Sequence, residues 1–161
     1  MKAKFFALVA LVLGLAACQN DPEGLNVNAD GTVNTTLSVT LPEATRAGSD
    51  VGGITHFNPA THDIRYILEV YNDAGKLVKE RDTKLSDAGK VVFDLRLIPN
   101  RNYNFVVWAD FVENGSKADC YYNTDAEGAG LRNVSVVEGK WTAMNELRDA
   151  YTGVKRIEGY N

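Results

Sequence analysis

The chain has 161 residues, a formal net charge of −4 and 24% charged side chains. That length suits one domain with a real core. An acidic balance disfavours nucleic acid and anionic lipid headgroups as partners, since both need a basic patch.

Lys2 and Lys4 precede an unbroken apolar run from Phe5 to Ala17. A basic start, about a dozen apolar residues and a small-residue end define a secretory signal peptide over residues 1–17. The run is too short for a spanning helix, which needs roughly 20 residues. Leu15-Ala16-Ala17-Cys18 reads as a bacterial lipobox. Cleavage between Ala17 and Cys18 is expected, with acylation of the Cys18 thiol, which becomes the new N-terminus. Each buried CH₂ contributes about 0.8 kcal/mol, so one acyl chain anchors marginally and several anchor stably. The expected partner is therefore the membrane, reached through acyl chains on Cys18.

Loss of Lys2 and Lys4 with the leader makes the remaining chain more acidic. Acylation of Cys18 also leaves Cys120, the other cysteine, without a disulfide partner, so the fold must hold by packing. Cys120 lies among Asp119, Tyr121 and Tyr122 with no basic neighbour, and reads as a half-buried strand thiol rather than a nucleophile.

Residues 18–32 are polar and acidic, with Asp21, Glu23 and Asp30, and read as a flexible tether. Acidic residues just after the lipidated cysteine resemble the export signal of surface-exposed lipoproteins in Bacteroidota. Asn26, Asn28, Asp30 and Gly31 imitate the first half of an EF-hand loop, but its twelfth position, where a bidentate Glu is required, is Leu37. Calcium binding is rejected there.

Val33, Thr35, Leu37, Val39 and Leu41 alternate with polar residues, a half-buried strand that Pro42 ends. A small-residue connector containing Arg46-Ala47 and a loop with His56 and His62 follow. Residues 63–71 form the second strand, with Ile64, Tyr66, Leu68 and Val70 on its apolar face. Asn72-Asp73-Ala74-Gly75 turns it, Gly75 supplying the positive φ. Residues 76–81 read as a polar edge strand blunted by lysines. After the turn at residues 86–89, Lys90 to Leu97 puts Val91, Phe93, Leu95 and Leu97 inward. The near-continuous apolar run from Asn102 to Phe111 predicts a central strand covered on both faces. Short strands are expected over residues 120–122 and 131–137, a helical turn or two over 144–151, and no clear period after Gly153.

Short strands at roughly 8–12-residue spacing, divided by Gly, Asn and Asp turns, define an all-β, mostly antiparallel β-sandwich. The expected division is a signal peptide over 1–17, a tether over 18–32, the sandwich over 33–152 and a C-terminal tail over 153–161.

His56, His62 and Asp63 match no metal-ligand spacing, and no Walker loop, His-Glu-x-x-His or Gly-x-Ser-x-Gly is present. No catalytic residue, metal or cofactor is assigned, and the chain is not expected to be an enzyme. Aromatic residues at period-two positions mostly build cores and cross-strand pairs. Trp108 and Trp141 are the candidates for stacking on a sugar ring.

The stretches Ile64 to Asn72, Phe93 to Leu97 and Tyr103-Asn104-Phe105-Val106-Val107-Trp108-Ala109-Asp110 carry a resemblance, together with Tyr121 to Thr124, Leu131 to Val134 and Arg148 to Tyr151. Together they resemble a DUF6562-like domain of fimbrillin-related lipoproteins in Bacteroidales, a family without established chemistry. The resemblance implies a transthyretin- or Ig-like sandwich, a lipid-anchored place on the outer membrane facing the cell exterior, and a structural or adhesive role as a fimbrial anchor or minor component. The alternative is a glycan-binding surface lipoprotein of a polysaccharide-uptake system. In pilus subunits of that type an arginine-specific protease removes the leader, and Arg46-Ala47 stands where such a cut would fall. Relatives of this type continue past Arg-Asp-Ala-aromatic with more strands, so the resemblance also implies a shortened copy.

Overall fold

The alternating stretches assemble into antiparallel sheets packed around one apolar core. The computed structural model describes residues 12–16, 26–41, 58, 60–140 and 146–160. Among them the strands are β1 (Val12–Ala16), β2 (Val33–Thr40), β3 (His62–Tyr71), β4 (Leu77–Ser86), β5 (Lys90–Leu97), β6 (Tyr103–Glu113), β7 (Tyr122–Asn123), β8 (Ser135–Val136) and β9 (Ala150–Ile157). One sheet has the order β1-β2-β5, the other β4-β3-β6-β9, and β7 and β8 form a small ribbon. The fold is the expected all-β, antiparallel sandwich.

β2 keeps its predicted alternation, with Val33, Thr35, Leu37 and Val39 buried. Phe93, Leu95 and Leu97 of β5 face the same way, and β2 and β5 pair over their full lengths from Val33↔Leu97 to Thr40↔Lys90. Against them lie Ile64, Tyr66, Leu68 and Val70 of β3 and Phe105, Val107 and Ala109 of β6. Such aliphatic and aromatic side chains each contribute about 1.5–3 kcal/mol on full burial.

The two sheets are seamed along one side by the turn at residues 87–89 and by β4 lysines. Lys79 Nζ donates to the Asp94 carbonyl at 3.0 Å and Lys84 Nζ to the Val92 carbonyl at 2.7 Å. Edge lysines that hydrogen-bond across the sandwich also deny β4 to other chains.

Several segments differ from the sequence expectation: the strand expected over 131–137 is a 3-10 turn at Gly130–Arg132 followed by a two-residue β8, and that expected over 120–122 is β7, Tyr122–Asn123. β4 runs to Ser86 rather than Arg81, because its charged residues cross to β5 instead of ending the strand. The helical turns expected over 144–151 reduce, within the described residues, to one 3-10 turn at Glu146–Arg148. Residues 150–157, spanning the start of the expected tail, form β9, an edge strand paired with β6 from Tyr103↔Ile157 to Asp110↔Ala150. Gly153 and Thr152 hide the period of β9, yet Tyr151 and Ile157 pack against the core and Tyr160 is part of it.

β3 is buried on both faces, while β6 is buried on its inner face and half-buried at Asn104, Val106 and Trp108 on its outer one. Every residue from Ile64 to Tyr71 is buried, because the long β6–β9 connection folds back over the face opposite the core. That connection carries the β7–β8 ribbon and 3-10 turns at Ala126–Gly128 and Gly130–Arg132. The molecule therefore has a third layer, a cap over the outside of the larger sheet.

Candidate functional site

The cap is held by a run of polar side chains on the outer face of β3. Arg65, 1% exposed, sends Nε and Nη2 to the two carboxylate oxygens of Asp110 at 2.8 and 2.6 Å. Its Nη1 donates to Asp119 Oδ1 at 2.8 Å and to the Lys117 carbonyl at 3.0 Å. Asp119 in turn accepts the Thr124 backbone N–H at 3.0 Å and hydroxyl at 2.8 Å. Thr124 accepts Arg81 on its carbonyl and its hydroxyl oxygen, and Arg81 stands 3.6 Å from Glu69. Glu69 accepts the Leu131 N–H at 2.8 Å and the Tyr71 hydroxyl.

Burial pushes the Asp110 carboxyl up, and the Arg65 guanidinium pulls it back only in part. For Asp119 the burial cost is outweighed by the Thr124 N–H and hydroxyl and by Arg65, and its carboxyl lies below the usual range. A planar guanidinium with five donors is the side chain suited to such a multiply bonded buried site. The chain of bonds connects the sheet to the cap and is structural in character.

Around it lie several of the residues singled out in the sequence. Trp108, half-buried on the outer face of β6, meets the Tyr122 ring edge-on at 5.1 Å between centroids. Its buried Nε1 makes no hydrogen bond of good geometry, though it favours the charged form of Asp110 nearby. Cys120 is half-buried just before β7, and burial pushes its thiol up, which keeps it protonated and unreactive at neutral pH. His62 Nδ1 is 2.9 Å from the neighbouring Thr61 hydroxyl, while Asp63 accepts the N–H of Gly115, in the turn after β6, at 2.7 Å, so both are engaged locally by the fold. Among the described residues no group of His, Cys, Asp and Glu is arranged to hold a metal ion. Asp30, part of the EF-hand imitation, instead accepts the Thr32 hydroxyl and N–H, closing the turn that leads into β2. Cys18, Ala17, Arg46, Ala47, His56 and Trp141 lie outside the described residues.

Sequence reasoning missed a cleft of about 590 Å³ at one end of the sandwich. One wall is the β3–β4 turn, where the Gly75 N–H donates to the Asn72 carbonyl at 2.9 Å and Gly75 has φ +71°. The other is the β5–β6 turn, residues 98–102, with Tyr103 beneath. The Tyr103 hydroxyl donates to the Ile98 carbonyl and accepts the Ile98 N–H, at 3.0 and 2.8 Å. Tyr160 holds this turn from the far end of the chain. Its carbonyl accepts the Asn100 N–H at 2.7 Å and its N–H donates to the Arg101 carbonyl at 3.0 Å. Asp73 joins the walls by accepting Asn102 Nδ2 at 2.6 Å and pairing with Arg156 at 3.2 Å.

The lining of the cleft includes Lys79, Arg96 and Arg101 against the single carboxylate of Asp73. Val78 and Ile98, 45% and 50% exposed, supply an aliphatic rim. Its volume falls in the roughly 300–1,000 Å³ range of small-ligand sites. The only sequence signals were Gly75 and the Pro99-Asn100-Arg101 turn, which place loops but not the gap between them.

No match was found among curated proteins or solved structures. Residues 26–160 match DUF6562, a family of unknown function. That span starts just before the turn into β2 and ends at Tyr160, so it takes in both sheets from β2 onward and the whole cap. The chain therefore belongs to the DUF6562 family.

Proposed function

We propose that this protein is an outer-membrane lipoprotein, lipid-anchored through Cys18 and facing the cell exterior, with a structural or adhesive role related to fimbriae as an anchor or minor component. The observation that carries this reading is the arrangement of the chain's first part. A basic start, an apolar run and the lipobox Leu15-Ala16-Ala17-Cys18 stand immediately before an acidic stretch, and the family domain begins only eight residues after the cysteine, at residue 26. Cleavage at Ala17–Cys18 removes β1 with the leader and leaves the sandwich from β2 onward on a short acylated tether. The fimbrillin-like character rests on the strand motifs named above. Support for a mechanical role comes from the cap, which a buried, multiply bonded Arg65 locks to the sheet.

The test is mass spectrometry of the N-terminus of protein taken from cells. An acylated Cys18 supports the anchor, and a free Ala47 supports release by cleavage after Arg46. Membrane association that survives Cys18→Ala, with no lipid on the protein, overturns the reading.

The second reading, a glycan-binding surface lipoprotein, is favoured by the cleft between the β3–β4 and β5–β6 turns, whose mixed aliphatic and cationic lining suits a polar small ligand.

A further inference from the structure

We infer that the cleft between the β3–β4 and β5–β6 turns binds an anionic sugar unit, a uronate of an acidic glycan, with Arg101 as the residue that takes its carboxylate. The inference rests on the glycan-binding reading for where the ligand is met, and on the geometry of the cleft for what the ligand is.

In a chain of net charge −4, the lining carries three cations and one carboxylate. That carboxylate, Asp73, is occupied by Asn102 and Arg156, which leaves little negative charge to repel an anion. The three cations are not equivalent. Lys79 is committed to Asp82 at 3.1 Å and to the Asp94 carbonyl at 3.0 Å. Arg96 pairs with Asp30 at 2.8 Å, but both side chains are more than half exposed, and such a solvent-screened pair is easily exchanged for another anion. Among the described residues Arg101 has no acidic partner, although Tyr160 fixes its backbone with two hydrogen bonds. A guanidinium on a fixed turn, without an internal partner and at the mouth of a cavity, is preorganised for a planar anion.

The rest of the lining specifies a sugar rather than a simple ion. Val78 and Ile98 offer aliphatic surface for the C–H face of a pyranose ring. Asn72 uses its side-chain oxygen on the Lys76 N–H at 2.9 Å, which leaves its NH₂ to donate to ring hydroxyls. Carboxylate, hydroxyls and an apolar ring face together are the chemistry of a uronate.

The test uses the mature acylated protein in detergent micelles, applied to immobilised polygalacturonate. Retention with elution by free galacturonate is expected. Arg101→Ala should weaken binding about tenfold or more, the loss expected for one charge-assisted hydrogen-bonded contact, and Arg101→Lys should restore part of it. Arg101 is exposed, so circular dichroism of both variants should match the parent. A neutral dextran gel should retain nothing. The inference is overturned if polygalacturonate does not retain the parent, if Arg101→Ala binds equally well, or if dextran sulfate competes as well as galacturonate, which would mean unspecific anion exchange. Mass spectrometry of Cys18 reports on the anchor separately, so failure of the sugar site and failure of the lipoprotein reading give different results.

Discussion

Arg65 and Asp110 are directly opposed residues of the neighbouring strands β3 and β6, and their side chains close a two-bond fork with 1% and 2% exposure. The fork joins groups that each carry a full desolvation penalty, so the pair is far more costly to break than to omit. Arg65→Met strands Asp110 without its partner and frees Asp119 and the Lys117 carbonyl from the sheet. The expected loss is about 3–5 kcal/mol of unfolding free energy, read from urea denaturation of the chain with Cys18→Ala. Combining Arg65→Met with Asp110→Leu should recover much of that loss. A double variant as unstable as the single one would mean that the contacts of Arg65 to the cap, rather than the unpaired charge, carry the effect.

Gly130 tests the cap at its other end. Its φ is +61°, and a Cβ there would lie 2.6–2.9 Å from the carboxylate atoms of Glu69. Gly130→Ala therefore strains the backbone and displaces the carboxylate that accepts the Leu131 N–H. A cost of about 1–3 kcal/mol is expected. The damage should be local: hydrogen exchange should quicken over residues 117–136 while the amides of β5 keep their protection. Uniform loss across both sheets would show that the cap and the sandwich unfold as one unit.

Tyr71 gives the pH dependence. Burial first, then the hydrogen bond and negative charge of Glu69, push its phenol up to about 12 from the usual 10, with Arg132 over its ring opposing them. The folded chain thus keeps a proton that the unfolded chain releases. The contribution to stability is complete below pH 10 and is lost as the pH rises through 12. The difference in tyrosinate absorbance between the parent and Tyr71→Phe should titrate near pH 12. In Glu69→Gln, with one source of the shift removed, the same difference should titrate at lower pH.

Legibility in the sequence divides along physical lines. β2 and β5 were readable to the residue on their inner faces, because one face is buried, the other is wet, and period-two alternation records that directly. β6 was readable as central for the opposite reason, a nearly continuous apolar run. β3 misled in part, since Arg65 and Glu69 look like solvent-facing residues. Their burial depends on Asp119, Thr124 and Leu131, which lie more than fifty residues away in the chain. The same holds for the cleft, which is built from two turns and from Tyr160, none of which announces the others. β9 escaped because Gly153 and Thr152 interrupt its pattern and its pairing with β6 supplies what its own residues do not.

β1 bears directly on the proposed cleavage at Cys18. β1 pairs antiparallel with β2 over Val12↔Thr40 to Ala16↔Thr36, yet it lies upstream of the cleavage proposed at Cys18. Under that proposal, loss of β1 would leave one edge of β2 without that partner, and an open edge exposes a row of N–H and C=O groups. Hydrogen exchange on the full precursor and on the chain beginning at Cys18 should therefore differ at one place. The β2 amides among residues 36–40 that point toward β1 should exchange faster in the shorter chain. Those of β3 and β6, each paired on both sides, should be unchanged. Equal protection of residues 36–40 in the two chains would mean that another strand covers the edge once the leader has gone. The concentration dependence of that protection would then tell a segment of the same chain from one supplied by a second copy.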